Sequence, residues 1–236
     1  MRKLLLASAL ISSAILATSP AYAVLQLSLD LNGATFFCVD NTACDTNPLV
    51  GTLVTGNMTF NGVDFLGSAQ TQLVGGINEL TTTSFQVTNT NSTAVQYQVA
   101  VGGTDFVGPV TAIDQTGSGT FTNAIGSTTD LAYAASAANV QGANTPTDLP
   151  GTPLSDSGVI TATTLADSIN YNTVTPFSAA GLYSMTMGAS GSLTAGGQFT
   201  GRSQSEIAVN NAPEPATLAL FATALLGLGV VRCRRG

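Results

Sequence analysis

Apolar and polar residues alternate along the segment that follows the N-terminal apolar stretch of this chain. Leu25, Leu27, Leu29 and Leu31 are separated by single polar residues, so they share one face of an extended strand. A period of two is typical of a β-strand that is buried on one side and exposed on the other. The segment therefore predicts a half-buried strand.

The same alternation recurs further along the chain, with turn residues between the strands. Asn61-Gly62 separates the apolar-alternating arms Met58–Phe60 and Val63–Phe65, which is the strongest short-range signal of a β-hairpin. The pattern predicts further strands at residues 85–87, 95–101, 107–113, 119–125, 159–165, 182–187, 193–200 and 205–209.

Ser, Thr, Asn and Gly fill the spaces between these strands, a composition that disfavours helix and supports turns. The spacing predicts an all-β fold, an antiparallel β-sandwich. Residues 141–157 contain prolines and few apolar anchors, so we expect a long loop there. Residues 131–140 are Ala-rich and fit either one helical turn or a strand.

The N-terminus has the three parts of a secretory signal peptide. Arg2 and Lys3 form the charged start, residues 4–17 form the apolar stretch, and Ala21-Tyr22-Ala23 is an A-x-A cleavage site. We expect signal peptidase to remove residues 1–23, so that the mature chain begins at Val24. The alternative is a retained N-terminal anchor.

The C-terminus combines a Pro-Glu-Pro motif, an apolar run and a basic end. Pro213, Glu214 and Pro215 precede residues 216–231, an uncharged run that would span about 24 Å as a helix. That is short of the ~30 Å hydrocarbon core, so the run is a borderline transmembrane helix. A basic cluster after such a run favours retention of that end in the cytoplasm, and it consists of Arg232, Arg234 and Arg235. The alternative is a buried C-terminal helix.

This order of elements resembles the PEP-CTERM sorting signal of Gram-negative bacteria, also known as the "ice-binding protein C-terminal domain". The resemblance covers Pro213 to Arg235, and only Cys233 departs from it. It implies that exosortase, a membrane transpeptidase-like enzyme, cuts at or near the Pro-Glu-Pro motif. The protein would be held transiently in the inner membrane by its single C-terminal helix, and then passed to the outer surface or the extracellular matrix.

Charge and missing residue types limit the function of the expected exported domain, residues 24–211. The chain has a net charge of −7, and Arg202 is the only basic residue between Val24 and Ala212. Such a surface repels nucleic acid. Because the chain has no His and no Lys beyond Lys3, it excludes a Ser-His-Asp triad, a histidine zinc site and a Schiff-base lysine. Only carboxylate chemistry, as in glycoside hydrolysis, remains open to it. No pair of acidic residues is singled out by its sequence context, so we expect the protein not to be an enzyme.

Cys38 and Cys44 are the two cysteines of the expected exported domain. An oxidising compartment permits their pairing, so we predict a disulfide that pins a surface loop. Free thiols are the alternative, and metal ligation by two cysteines without histidine is the weaker one.

The densest polar cluster is Asp40-Asn41 with Asp45 and Asn47-Pro48. Oxygen ligands at such spacing suit Ca²⁺, but the cluster lacks the EF-hand pattern. Asx turns before a proline explain the same residues without a metal. Asp40 and Asp45 are therefore the metal-ligand candidates, and calcium is the only cofactor that the sequence suggests.

The resemblance implies a secreted cell-surface or biofilm-matrix protein without catalytic activity, associated with exopolysaccharide. A calcium-dependent carbohydrate-binding or adhesive module is the second hypothesis. A glycan-active enzyme that uses two carboxylates is the third.

Overall fold

Every regular element in the described part of the chain is a β-strand. The computed structural model describes residues 24–74 and 77–207, and the predicted signal peptide and C-terminal tail lie outside these ranges. The strands are β1 Leu25–Leu31, β2 Ala34–Val39, β3 Thr52–Phe60, β4 Val63–Val74, β5 Ile77–Asn89, β6 Val95–Val107, β7 Val110–Thr122, β8 Thr128–Ser136, β9 Thr152–Asp156, β10 Ile160–Thr161, β11 Ala166–Ala179, β12 Leu182–Leu193 and β13 Gln198–Ile207.

The strands form two antiparallel sheets that pack face to face. Sheet A has the order β10-β8-β12-β6-β1-β2, with β9 also paired to β8. Sheet B has the order β11-β7-β13-β5-β4-β3. The prediction of an all-β antiparallel sandwich is confirmed for the described residues.

Two hairpins turn on Asn-Gly pairs. Asn32-Gly33 connects β1 to β2 and Asn61-Gly62 connects β3 to β4, and all four residues have φ between 46° and 84°. Positive φ at both central residues defines the two-residue turn that matches the twist of the flanking strands. The predicted Asn61-Gly62 hairpin is therefore confirmed.

The core lies between the sheets, where the predicted alternation places its apolar residues. Leu25, Leu27, Leu29 and Leu31 are at most 2% exposed. Gln26 and Ser28 on the opposite face are buried too, so β1 is buried on both sides and the prediction of a half-buried strand is wrong. The ring of Phe199 lies at the centre of an aromatic cluster, with centroids 5.6 Å from Phe85, 4.8 Å from Phe121 and 6.3 Å from Tyr97. The first two come from sheet B and Tyr97 comes from sheet A, so this cluster joins the layers.

Four sequence-based boundaries are wrong. Residues 193–200 are not one strand, because β12 ends at Leu193 and β13 begins at Gln198. Residues 107–113 are not one strand, because β6 ends at Val107 and the cis Gly108–Pro109 peptide turns the chain into β7. In the predicted strand 159–165 only Ile160–Thr161 pairs. The predicted loop 141–157 contains β9, which pairs with β8. The Ala-rich stretch 131–140 begins as a strand, because residues 131–136 belong to β8.

Residues 137–151 cross the outer face of sheet A. The Gln26 side chain donates to the Gly142 carbonyl at 2.6 Å, and the Ser184 hydroxyl donates to the Val140 carbonyl at 2.6 Å. A Cβ built on Gly102 would lie 2.5 Å from the Gly142 oxygen, so only glycine allows this close approach. This segment thus covers part of sheet A, while side chains at the centre of the outer face of sheet B stay accessible.

Candidate functional site

The predicted sorting and cleavage residues lie outside the described residues, so the structure adds no geometry to them. They are Ala23, Pro213, Glu214, Pro215, Arg232, Arg234 and Arg235. Across residues 24–74 and 77–207 there is no helix with the length and apolarity needed to cross a membrane.

Cys38 and Cys44 are joined by a disulfide in the structure, with their Cα atoms 5.8 Å apart. Cys38 belongs to the edge strand β2 and is 1% exposed, whereas Cys44 lies in the loop that follows. The bond ties this loop to the rim of sheet A. That the pair is oxidised in the exported protein stays a prediction.

Asp45 organises the backbone of the same loop. Its Oδ1 accepts the N–H groups of Asn47 and Val54, both at 2.9 Å, and its Oδ2 accepts the N–H of Asn41 at 3.1 Å. This is the hydrogen bonding of an Asx turn. The arrangement favours the turn alternative over the calcium alternative for these residues.

Asp40 is the partner carboxylate in this loop. Its Oδ2 accepts the Gly51 N–H at 2.6 Å, and its Oδ1 is buried without a partner among the described residues. Burial raises the pKa of Asp40, and the Asp45 carboxylate raises it further. Burial also acts to raise the pKa of Asp45, but backbone N–H donors outweigh that effect and lower it. Asp40 therefore takes up a proton before Asp45 does.

Within the described ranges, no group of three or more acidic, cysteine or histidine residues is placed to hold a metal ion. Calcium at Asp40 and Asp45 thus stays a proposal.

A second close pair of carboxylates was not predicted. Asp156 at the end of β9 lies opposite Ala132 on β8, two residues from Asp130, and the Ser157 hydroxyl donates to Asp130 Oδ1 at 3.3 Å. Burial raises the pKa of Asp130, and the neighbouring Asp156 carboxyl raises it further through a side-chain hydrogen bond and charge repulsion.

Two adjoining hollows of about 370 Å³ and 310 Å³ lie on the outer face of sheet B. They share Ser118, Asn170 and Arg202, and together we call them the Arg202 groove. Strands β5, β7, β11 and β13 supply the lining, whose other polar side chains include Ser84, Thr116, Thr120, Ser168, Asn172 and Thr200.

Strand register brings the shared residues together. Asn170 on β11 lies opposite Ser118 on β7, and Ser118 lies opposite Arg202 on β13. Side chains point outward at these positions because residues an odd number of positions away on the same strands point into the core. Examples are Ile169 on β11, Phe121 on β7 and Phe199 on β13. The groove therefore stands on rigid strands.

The polar side chains at the centre of the groove make no hydrogen bonds to other described residues. Arg202 is exposed, and it makes no ion pair or hydrogen bond with any other residue in the described part of the chain. Ser118, Asn170, Asn172 and Thr200 likewise have no side-chain hydrogen bond to a described residue. This contrasts with the disulfide loop, where Asp45 is fully used by the backbone. Hydrogen-bond donors and acceptors that have no partner in the protein, arranged around one cation, are suited to binding a ligand.

The sequence identified Arg202 as an isolated cation, but it did not identify the groove. The available signal was the run of alternating polar residues in β7, β11 and β13, which resembles any solvated strand face. Only the strand order shows that these runs share a surface.

Comparison with known protein families identifies one segment of the chain. Residues 211–235 match the PEP-CTERM protein-sorting motif. The predicted PEP-CTERM tail is thereby confirmed as a sequence match. A PEP-CTERM signal implies export and membrane-associated sorting in Gram-negative bacteria, with processing by exosortase. No curated protein matches the chain.

The solved structures that match this chain do so at low identity and low TM-score. TmCBM61 in complex with β-1,4-galactotriose is 12% identical, covers 63% of this chain and 89% of its own, and has a TM-score of 0.33. The mannan-recognising carbohydrate-binding module TmCBM27 is 13% identical over 67% and 90%, with a TM-score of 0.29. A protein of infectious bursal disease virus, Gx strain, is 12% identical over 81% and 59%, also at 0.29. Scores this low add nothing to the fold already described.

Proposed function

We propose that this protein is a non-catalytic component of the cell surface or of the biofilm exopolysaccharide matrix. Signal peptidase releases it after Ala23, the C-terminal helix holds it in the inner membrane, and exosortase acts at Pro213–Pro215. The observation that carries this proposal is the sorting-motif match at residues 211–235, directly after a folded β-sandwich.

The chemistry of the sandwich supports a binding role without catalysis. A retaining glycosidase needs its two carboxyls about 5–5.5 Å apart, with space for a sugar between them. Among the described residues, no carboxylate lines the Arg202 groove, so the groove holds no such pair. The Arg202 groove instead offers a shallow polar surface with uncommitted hydrogen-bonding groups.

A calcium-dependent adhesive module is the second candidate. The observation that favours it is Asp40 Oδ1, a buried carboxylate oxygen without a partner among the described residues, beside Asp45. If calcium binds there, millimolar CaCl₂ should raise the melting temperature of the wild-type chain and leave Asp40→Asn unchanged. Equal melting temperatures with CaCl₂ and with a chelator would remove this candidate.

The sorting proposal is tested by fractionation of the native host. Glu214→Ala and a chain without Arg232, Arg234 and Arg235 should both accumulate in the inner membrane, whereas wild type reaches the surface or the matrix. Glu206→Gln is the matched control, because it removes a carboxylate from the last described strand outside the motif. N-terminal sequencing of the surface form should begin at Val24. Normal surface delivery of Glu214→Ala would contradict processing at the motif.

A further inference from the structure

We propose that the Arg202 groove binds a polysaccharide segment in which one uronic acid is flanked by neutral sugars. The Arg202 guanidinium receives the uronate carboxylate, and the hydroxyl and amide side chains around it bind the neutral sugars. This inference rests on the proposed matrix function and names the class of ligand for it.

The first support is an unpaired cation in an acidic protein. The chain carries 13 acidic and 6 basic residues, yet Arg202 contacts no carboxylate among the described residues. A guanidinium presents N–H donors in a planar fork that matches a carboxylate with two parallel hydrogen bonds. The residue is exposed, so its donors are accessible to a ligand.

The second support is the neutral lining on both sides of Arg202. Among the residues that the structure describes, no carboxylate lines either hollow. Asn172 and Thr116 flank the central row on one side, and Ser168, Thr120 and Thr200 flank it on the other. Hydroxyl and amide groups both donate and accept hydrogen bonds, as sugar hydroxyls require.

The dimensions suit a segment of chain rather than a small anion. The groove extends from β11 across β7 and β13 to β5, which is three strand spacings or about 14 Å. A small carboxylate would use only Arg202 and leave the other side chains without partners.

Acidic residues further along the same face select against a densely charged polymer. Glu206 pairs directly with Asp114 on one side and Glu79 on the other, four residues along β13 from Arg202. That separation is about 13 Å, beyond the ~8 Å Debye length at physiological ionic strength. A single ligand carboxylate at Arg202 is therefore screened from these three acidic residues. A polymer with a charge on every sugar would instead place carboxylates next to them, and they would repel it.

The test uses the full chain in detergent and an oligosaccharide of gellan, in which one glucuronate lies among neutral sugars. We expect binding in isothermal titration calorimetry, and we expect the carboxyl-reduced oligosaccharide to bind roughly tenfold more weakly or worse, because it lacks the charged hydrogen bonds. Arg202→Gln should lose affinity to a similar extent, and Arg202→Lys should be intermediate. Gln96→Glu, on the exposed outer face of sheet A, makes the same change in net charge and should bind within about twofold of wild type.

Several outcomes would overturn the proposal. They are no measurable binding of the gellan oligosaccharide, equal binding of its carboxyl-reduced form, or wild-type affinity in an Arg202→Gln chain whose melting curve is unchanged. Equal affinity for oligogalacturonate would refute the selection for sparse charge, and equal affinity for polyglutamate would refute the assignment to polysaccharide. Because delivery to the surface is measured separately by fractionation, the sorting proposal stands or falls independently.

Discussion

Asn89 is buried at the end of β5, and replacing it with aspartate tests how the two turns at that end of the sandwich are joined. The side chain is 1% exposed, and its Nδ2 donates to the carbonyl oxygens of Thr93, Leu193 and Thr194 at 2.8, 3.0 and 2.9 Å. Its Oδ1 accepts the Asn91 N–H at 2.8 Å. The amide thus connects the β5–β6 turn to the turn after β12.

Asn89→Asp keeps the shape and the Oδ1 contact but turns a donor into an acceptor. Two N–H groups are lost, at about 1 kcal/mol each, and the Leu193 carbonyl, in the buried contact, loses this donor at about 1–3 kcal/mol more. The carboxylate also faces three carbonyl oxygens in a desolvated site. We therefore expect the free energy of unfolding to fall by at least about 3 kcal/mol near pH 7, a large part of the roughly 5–15 kcal/mol typical of a domain.

The loss should depend on pH with a definite sign. Burial and the carbonyl oxygens raise the folded-state pKa of the carboxyl that Asn89→Asp introduces above its unfolded value of about 3.9. The penalty is therefore small below that value and grows as the pH rises toward the folded-state pKa. In acid, the protonated carboxyl also restores one of the lost donors.

Urea unfolding of the full chain, followed by circular dichroism near pH 7 and near pH 4, measures both effects. Asn172→Asp is the control, because Asn172 is exposed and its side chain has no hydrogen bond to a described residue; it should change stability by no more than about 0.5 kcal/mol. A loss below about 1 kcal/mol for Asn89→Asp near pH 7 would refute the role given to Asn89.

Three further predictions use the same urea assay. Cys38→Ser should lower the unfolding free energy of the oxidised protein by about 2 kcal/mol, and reductant should remove most of the difference from wild type. Asp40→Asn should raise stability slightly near pH 7, because burial raises the pKa of Asp40, although solvent screens most of the effect at this partly exposed carboxyl; the gain should vanish in acid, where the wild-type carboxyl is protonated. Leu29→Ala should cost about 2–5 kcal/mol since Leu29 is 0% exposed, whereas Leu165→Ala, at 61% exposed, should change little.

The parts of the fold that depend on local pattern could be predicted from the sequence. The leucines of β1 and the Asn61-Gly62 turn act within a few residues, so their signals are complete in the chain itself. β9 could not be predicted, because Thr152–Asp156 contains Pro153 and few apolar residues, and its strand conformation depends on pairing with β8. Strand formation of this kind is decided by tertiary context rather than by propensity.

Less of the candidate site than of the fold could be predicted from the sequence. Composition pointed to Arg202, and the tail motif was recognisable residue by residue. Ser84, Ser118, Asn170 and Arg202, however, are far apart in sequence, and they meet only because the order β11-β7-β13-β5 places their strands side by side. The alternation in each strand determines which of these side chains face outward, but it does not show which strands lie side by side.

β13 also determines how the protein would respond to mechanical force. This strand carries Arg202 and ends at Ile207, six residues before Pro213, so the link to the sorting motif spans at most about 20 Å. Tension between a ligand in the groove and the C-terminal end would run along β13 itself. Because β13 is hydrogen-bonded to β5 on one side and to β7 on the other, the load is directed across two ladders whose bonds lie perpendicular to the pull. The hydrogen bonds of both ladders share the force and have to break together. The strand that presents the ligand site, β13, is therefore also well placed to resist being pulled out of the sheet.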